Sequence, residues 1–181
     1  MPSVFTHSLV GVCLAPLVPK AVPRKRLLFA LVILPIVPDL DVVTFQLGIS
    51  YSDPLGHRGF THSIAFALLA AALATWFVCP GRSAVRDRLL VYAVLFFATI
   101  SHGILDAFTD AGLGVGFLIP FDDARYFAPW RPIMTSPLSI GAFFDGPALR
   151  ILANEFVYIG VPSLLFLTSI LALRRRYRID G

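Results

Sequence analysis

Apolar positions in this chain come in long blocks rather than in the short amphipathic stripes of a soluble domain. The blocks cover roughly 4 to 19, 27 to 48, 61 to 79, 89 to 111 and 156 to 173. Each is long enough, or nearly so, for a helix to cross a bilayer. The pattern predicts an all-α, polytopic membrane bundle of about five transmembrane helices in a single domain, 1–181. The first block is the shortest and carries Pro16 and Pro19. No basic stretch precedes it, so a cleaved signal peptide is not expected. A long polar, Gly- and aromatic-rich segment, about 112–155, separates the last two blocks and reads as an outer loop or lid.

Composition agrees with this class. The 181 residues are 57% hydrophobic and 14% charged, with mean hydropathy +0.79, well outside the soluble range. The net charge of +4 raises nucleic acid as a partner, but its distribution argues against one. Basic residues gather at Lys20, Arg24, Lys25 and Arg26; at Arg82, Arg86 and Arg88; and at Arg174, Arg175, Arg176 and Arg178. Those are alternate loops, and alternate basic loops mark the cytoplasmic side. The expected topology is therefore multi-pass in a plasma membrane, N-terminus outside and C-terminus cytoplasmic. The two cysteines, Cys13 and Cys79, fall in different blocks and suggest neither a disulfide framework nor a Cys-based metal motif.

Against this apolar background the ionisable residues stand out. All four histidines lie at the ends of apolar blocks, in Phe5-Thr6-His7-Ser8, His57-Arg58-Gly59-Phe60-Thr61-His62 and His102-Gly103-Ile104-Leu105-Asp106, and Asp39 and Asp41 flank Leu40 in another block. Such groups are costly in hydrocarbon and mark function by default. Counted from the cytoplasmic helix ends at about 1.5 Å per residue, His7, Asp39 and His102 each stand roughly 18 to 21 Å up, with His62 and Asp106 slightly higher. One layer in the outer leaflet collects donors from four helices.

That layer reads as a divalent metal centre of nitrogen and oxygen ligands, drawn from His7, Asp39, Asp41, His57, His62, His102 and Asp106. Packing roles compete at each position: a buried imidazole–carboxylate bond for His102 and Asp106, a helix cap for the aspartates after Pro38, a plain turn for His57 and His62. His102 and Asp106 are i and i+4 and share a helix face. Asp39 and Asp41 are i and i+2, so both reach one site only if the backbone unwinds near Pro38. One would be a ligand and the other an orienting partner or general base. Gly59 is expected to allow the sharp turn that brings His57 to His62, with Thr61 or Ser63 capping the helix that follows. Arg58, beside this turn, would suit an anionic substrate, as would Arg125 and Arg131 with Trp130 in the outer segment. An interfacial aromatic belt accounts for the same loop residues. Phe-Thr-His-Ser occurs at 5–8 and again at 60–63, which suggests a repeated helical hairpin.

The motifs Thr6-His7-Ser8, Pro38-Asp39-Leu40-Asp41, His57 to Ser63, His102 to Asp106, Pro120-Phe121 and Pro129-Trp130-Arg131 resemble those of bacterial inner-membrane metal-dependent hydrolases described as LexA-binding or SOS-linked. That family is in turn similar to zinc-dependent phospholipase C and the single-strand nucleases. The resemblance implies a zinc phospholipase C-like core, with His7, Asp39 or Asp41, His62, His102 and Asp106 as ligands. No histidine follows His102, so one or two zinc ions fit better than three. The resulting expectation is a hydrolase of phosphoester bonds in lipid or lipid-linked substrates at the outer leaflet, with Asp39 or Asp41 taking a proton and Arg58 offsetting charge. A metal-ion transporter, or a metal-stabilised protein of a stress response without turnover, are the alternatives. Peptide hydrolysis is disfavoured by the missing His-Glu-x-x-His pattern.

Overall fold

A computed structural model describes residues 1–81 and 83–177. Arg82 and Arg178, two members of the basic clusters, lie outside the described residues. The regular elements among the described residues are helices: α1 (Val4–Cys13), α2 (Arg24–Ile33), α3 (Ile64–Val78), α4 (Val85–Ala107), α5 (Ile140–Phe144), α6 (Ala148–Glu155) and α7 (Val161–Arg176). A 3-10 stretch, Val37–Leu47, continues α2 after a bend, and a π-helical turn, Phe156–Gly160, joins α6 to α7. Among the described residues the only extended pairings are two isolated bridges, Thr109 with Ile133 and Val115 with Tyr126.

Among the described residues two helices are long and apolar enough to cross a membrane, Val85–Ala107 and the continuous Ala148–Arg176. The pair Arg24–Ile33 and Val37–Leu47, bent by 43°, makes a third if taken as one span. That is fewer than the five crossings expected from the sequence. The first block ends early because prolines convert its tail into a 3-10 turn, Ala15–Leu17. At 15 residues, α3 measures about 22 Å, short of a hydrocarbon core of about 30 Å. Residues 61 to 63, counted into that block from their apolar company, form a separate turn with Ser63 Oγ accepting from Phe66 N at 3.0 Å as the α3 cap.

The core is built where α1, α2, α3 and α4 converge. Leu27, Leu31, Val78, Val91 and Leu95 are fully buried there, with Ala30, Ala71 and Ala98 letting the helices approach. Gly11 marks the tightest crossing: a β-carbon on it would sit 2.1 Å from the Leu31 carbonyl oxygen. Basic side chains gather at one end of this bundle. Arg24 donates to Ala15 O at 2.8 Å, Arg26 lies over the Phe77 ring at 5.5 Å and Arg174 donates to Pro16 O. The histidines lie at the other end.

Candidate metal centre

Four segments deliver the ionisable groups, and each has a local reason to do so. His7 stands in the first turns of α1, and its ring stacks on His102 with centroids 3.9 Å apart. His102 and Asp106 project from one face of α4, as their i, i+4 spacing requires, with Nε2 and Oδ2 4.0 Å apart. Asp39 and Asp41 sit in the 3-10 stretch that begins at Val37. With three residues per turn, positions i and i+2 there diverge by about 120° rather than the roughly 160° of an α-helix. The α-helix does break near Pro38, but into this tighter 3-10 winding rather than an unwound segment, and the change lets both carboxylates reach the same imidazole. Asp41 Oδ2 lies 3.2 Å from His62 Nδ1 and Asp39 Oδ1 lies 3.7 Å from His62 Nε2.

The turn from His57 to His62 works differently from the sequence expectation. Arg58, not Gly59, carries the positive φ, 60°. Gly59 is required for close approach instead, because a β-carbon there would stand 2.2 Å from Pro54 O. The strained Arg58 is held by its surroundings: its amide donates to Asp41 Oδ2 at 3.2 Å, and its side chain reaches Ala111 O, Leu113 O and Thr109 Oγ1 at 3.0–3.1 Å. Its Nε lies 3.0 Å from Asp106 Oδ2. At 1% exposure this guanidinium neutralises Asp106 within the fold.

At the centre, His7, Asp39, His62, His102 and Asp106 are all buried. His102 Nδ1 donates to Pro35 O at 2.7 Å, and His62 Nδ1 faces Asp41. Both rings thereby turn Nε2 inward, and the two Nε2 atoms stand 3.0 Å apart. Asp39 Oδ1 is 3.2 Å from His102 Nε2, and Asp106 Oδ2 is 3.5 Å from His62 Nε2. No oxygen of Asp39 or Asp106 accepts a hydrogen bond, nor does either nitrogen of His7 make one. Asp39, His62, His102 and Asp106 offer four ligand atoms within 4.8 Å of one another and could hold a metal ion. A tetrahedral ion with bonds of about 2.0–2.1 Å has ligands about 3.3 Å apart, near the separations just given. His7 Nε2 is at the edge of this set, 3.9 Å from Asp106 Oδ1.

A second group, Asp41, His57 and His62, also lies within reach of one ion, yet hydrogen bonds already satisfy its carboxylate. Asp41 accepts from His57 Nδ1 at 2.6 Å, from Thr61 Oγ1 at 2.7 Å and from the Arg58 amide. This carboxylate has a full set of donors, whereas that of Asp39 has none.

The outer-segment residues are placed apart from the centre. Arg125 donates to the carbonyls of His57, Tyr51 and Asp53 at 2.9–3.2 Å, and burial pulls its guanidinium pKa below the usual value. It staples the outer segment to the 51–57 turn. Arg131 is exposed, with its guanidinium 4.6 Å over Phe127. Trp130, 62% exposed, meets Tyr158 edge-on. The repeated Phe-Thr-His-Ser also diverges, being helical at 5–8 and a 3-10 turn at 60–62. Cys13 and Cys79 are free and buried.

Sequence reasoning missed Glu155. It is 1% exposed and accepts from Ser3 N and Ser3 Oγ, each at 2.6 Å, and from Thr6 Oγ1. A lone acid at the edge of an apolar block was the available signal.

A composition and cluster of this kind invite comparison with known membrane proteins. The chain is 27% identical over 176 residues to the Na(+)/H(+) antiporter NhaA of Aeromonas salmonicida (strain A449), an alignment that covers 86% of this chain and 42% of the antiporter. No solved structure matches it. Neither the hydrolase assignment nor the zinc phospholipase C core suggested by the sequence motifs is carried by these relatives. The agreement with the inner membrane protein YbcI of Escherichia coli (strain K12) is 37% identity over 177 residues, spanning 97% of this chain and 100% of that protein. With the description "YdjM inner membrane protein" matching residues 1–177, apolar helices and sequence agree that the chain belongs to the YdjM inner membrane protein family.

Proposed function

We propose that this protein is a metal-dependent hydrolase of phosphoester bonds in lipid or lipid-linked substrates, working at the outer leaflet of the inner membrane. One observation carries the reading: two imidazoles with their Nδ1 atoms engaged point Nε2 at each other across 3.0 Å, between two carboxylates that accept no hydrogen bonds. Arg58 offsets only one of the two anions, and lone pairs and the remaining charge converging in a buried space are mutually repulsive, so a further cation belongs between them. One divalent ion on Asp39, His62, His102 and Asp106 satisfies all four, and the nitrogen and oxygen donor set suits zinc. When bound, such an ion supplies Lewis acidity and an activated water. Asp41 then fixes the tautomer and tilt of His62, as carboxylates behind ligating histidines do. Arg58 pairs with Asp106 and holds it in place. Trp130 and Arg131 are the exposed groups suited to a lipid headgroup at the interface.

Basic residues at the opposite end of the bundle support a cytoplasmic position for that end and an outer one for the metal centre. The antiporter likeness raises ion translocation as the rival reading. It requires a polar route through the inner half, where the core is instead Leu27, Leu31, Val91, Val94, Leu95 and Ala98, and the buried hydroxyl of Thr99 is bonded to Leu95 O.

The test is purified wild-type protein beside His102→Ala, measured for bound metal and for release of phosphate or headgroup from a panel of phospholipids and isoprenyl phosphates. Metal and turnover lost together support the hydrolase. Ion flux in proteoliposomes that His102→Ala abolishes, with no phosphoester cleavage by the wild type, overturns it in favour of transport.

A further inference from the structure

Of the buried carboxylates among the described residues, Asp39, Asp41 and Asp106 belong to the centre, and Glu155 is left without a part in it. It closes α6, a helix that contributes no ligand. Its oxygens nonetheless take three hydrogen bonds from the start of the chain: Ser3 N and Ser3 Oγ at 2.6 Å each, and Thr6 Oγ1. Thr6 immediately precedes His7.

The same arrangement recurs across the site. Thr61 donates to buried Asp41 at 2.7 Å and immediately precedes His62. In both places a threonine hydroxyl is tied to a buried carboxylate and the next residue presents its imidazole to the centre. The two differ in what aims the ring. His62 is held through its own Nδ1, as His102 is by Pro35 O, but neither nitrogen of His7 makes a hydrogen bond. Its direction comes from the stack on His102 and from the placement of the α1 backbone. The first turn of a helix has amide N–H groups without helical partners and a partial positive charge. A carboxylate across from Ser3 N satisfies both, and it locks the rotation of α1 about its axis.

We infer that Glu155 is a positioning residue, holding α1 in the register that keeps the His7 ring stacked against His102, one of the four groups that would hold the ion. The inference rests on the metal reading above. Its test uses cobalt(II) alone as probe, with purified wild type, His7→Ala, Glu155→Ala, Glu155→Gln and the His7→Ala/Glu155→Ala double variant. Glu155→Ala is expected to lower cobalt affinity about 10- to 100-fold and to shift the visible cobalt spectrum to that of His7→Ala. The double variant should bind no more weakly than His7→Ala, since a residue acting only through His7 adds nothing once His7 is gone. Glu155→Gln, which keeps an acceptor oxygen, should recover part of the affinity. Thr6→Val removes a single donor and should shift the spectrum the same way by less, which covers the case of a Glu155→Ala protein that does not fold. Wild-type affinity and spectrum in Glu155→Ala, or losses that add in the double variant, would overturn the positioning role while leaving the metal centre standing. A wild-type protein that takes up no cobalt would overturn both.

Discussion

Two aspartates separated by one leucine do different work because their surroundings differ. Asp41 has donors from His57, Thr61 and the Arg58 amide, whereas Asp39 has an imidazole Nε2 at 3.2 Å and no hydrogen bond. Asp39→Asn should therefore abolish metal binding, and Asp41→Asn should weaken it about 10- to 100-fold while leaving a measurable site. Isothermal titration of the metal-free protein separates the two, and equal losses would refute the division. His57→Ala, which removes one donor from Asp41 and no ligand of the central four, should cost less affinity than His62→Ala in the same titration. The residues themselves were legible in the sequence, since histidine and aspartate are expensive to keep inside apolar blocks and persist there when something binds them. Their roles were not, because spacing fixes which groups meet and leaves open which lone pairs are already occupied. Arg58 shows the limit most clearly. Its charge beside two histidines suggested a substrate contact, and its partners, Asp106, Thr109 and two carbonyls beyond residue 110, are more than forty positions away in the chain.

Elements rather than residues decide whether these groups converge. The 3-10 stretch from Val37 to Leu47 is 11 residues long, far beyond the usual three or four, and its tighter winding is what aims both aspartates at His62. The sequence disclosed the break through its prolines but not the winding that follows. Gly11 was not singled out at all, as nothing local marks it; its reason is the Leu31 carbonyl of another helix. Gly11→Ala should destabilise the fold by about 1–3 kcal/mol through overpacking, read as a lower thermal midpoint in detergent, and an unchanged midpoint would contradict the tight α1–α2 crossing. In the outer segment, Arg125→Ala should free the 112–139 strap from the 51–57 turn. Faster amide exchange in both segments, with metal content unchanged, is the expected result. Loss of metal would instead mean that Arg125 helps build the centre.

At the scale of the molecule, the sequence conveyed the class, the grouping of the ionisable residues at one depth and their separation from the basic end. It overstated the number of crossings. Hydropathy runs continue through turns such as 60 to 63, whereas helices end where caps and prolines stop them, so α1 and α3 are shorter than their apolar blocks. The contribution of α6 was equally hidden, since Glu155 and Ser3 are 152 positions apart. What unites these features is a packed bundle closed at one end by a cluster of imidazoles and carboxylates that Arg58 compensates only at Asp106. The most direct measurement is X-ray absorption at the metal edge of the purified protein, paired with metal quantification. The account predicts about one divalent ion per chain, surrounded by nitrogen and oxygen only, with the outer-shell scattering of at least two imidazole rings. An absence of bound ion after metal-replete purification, or a spectrum without imidazole scattering, would contradict it.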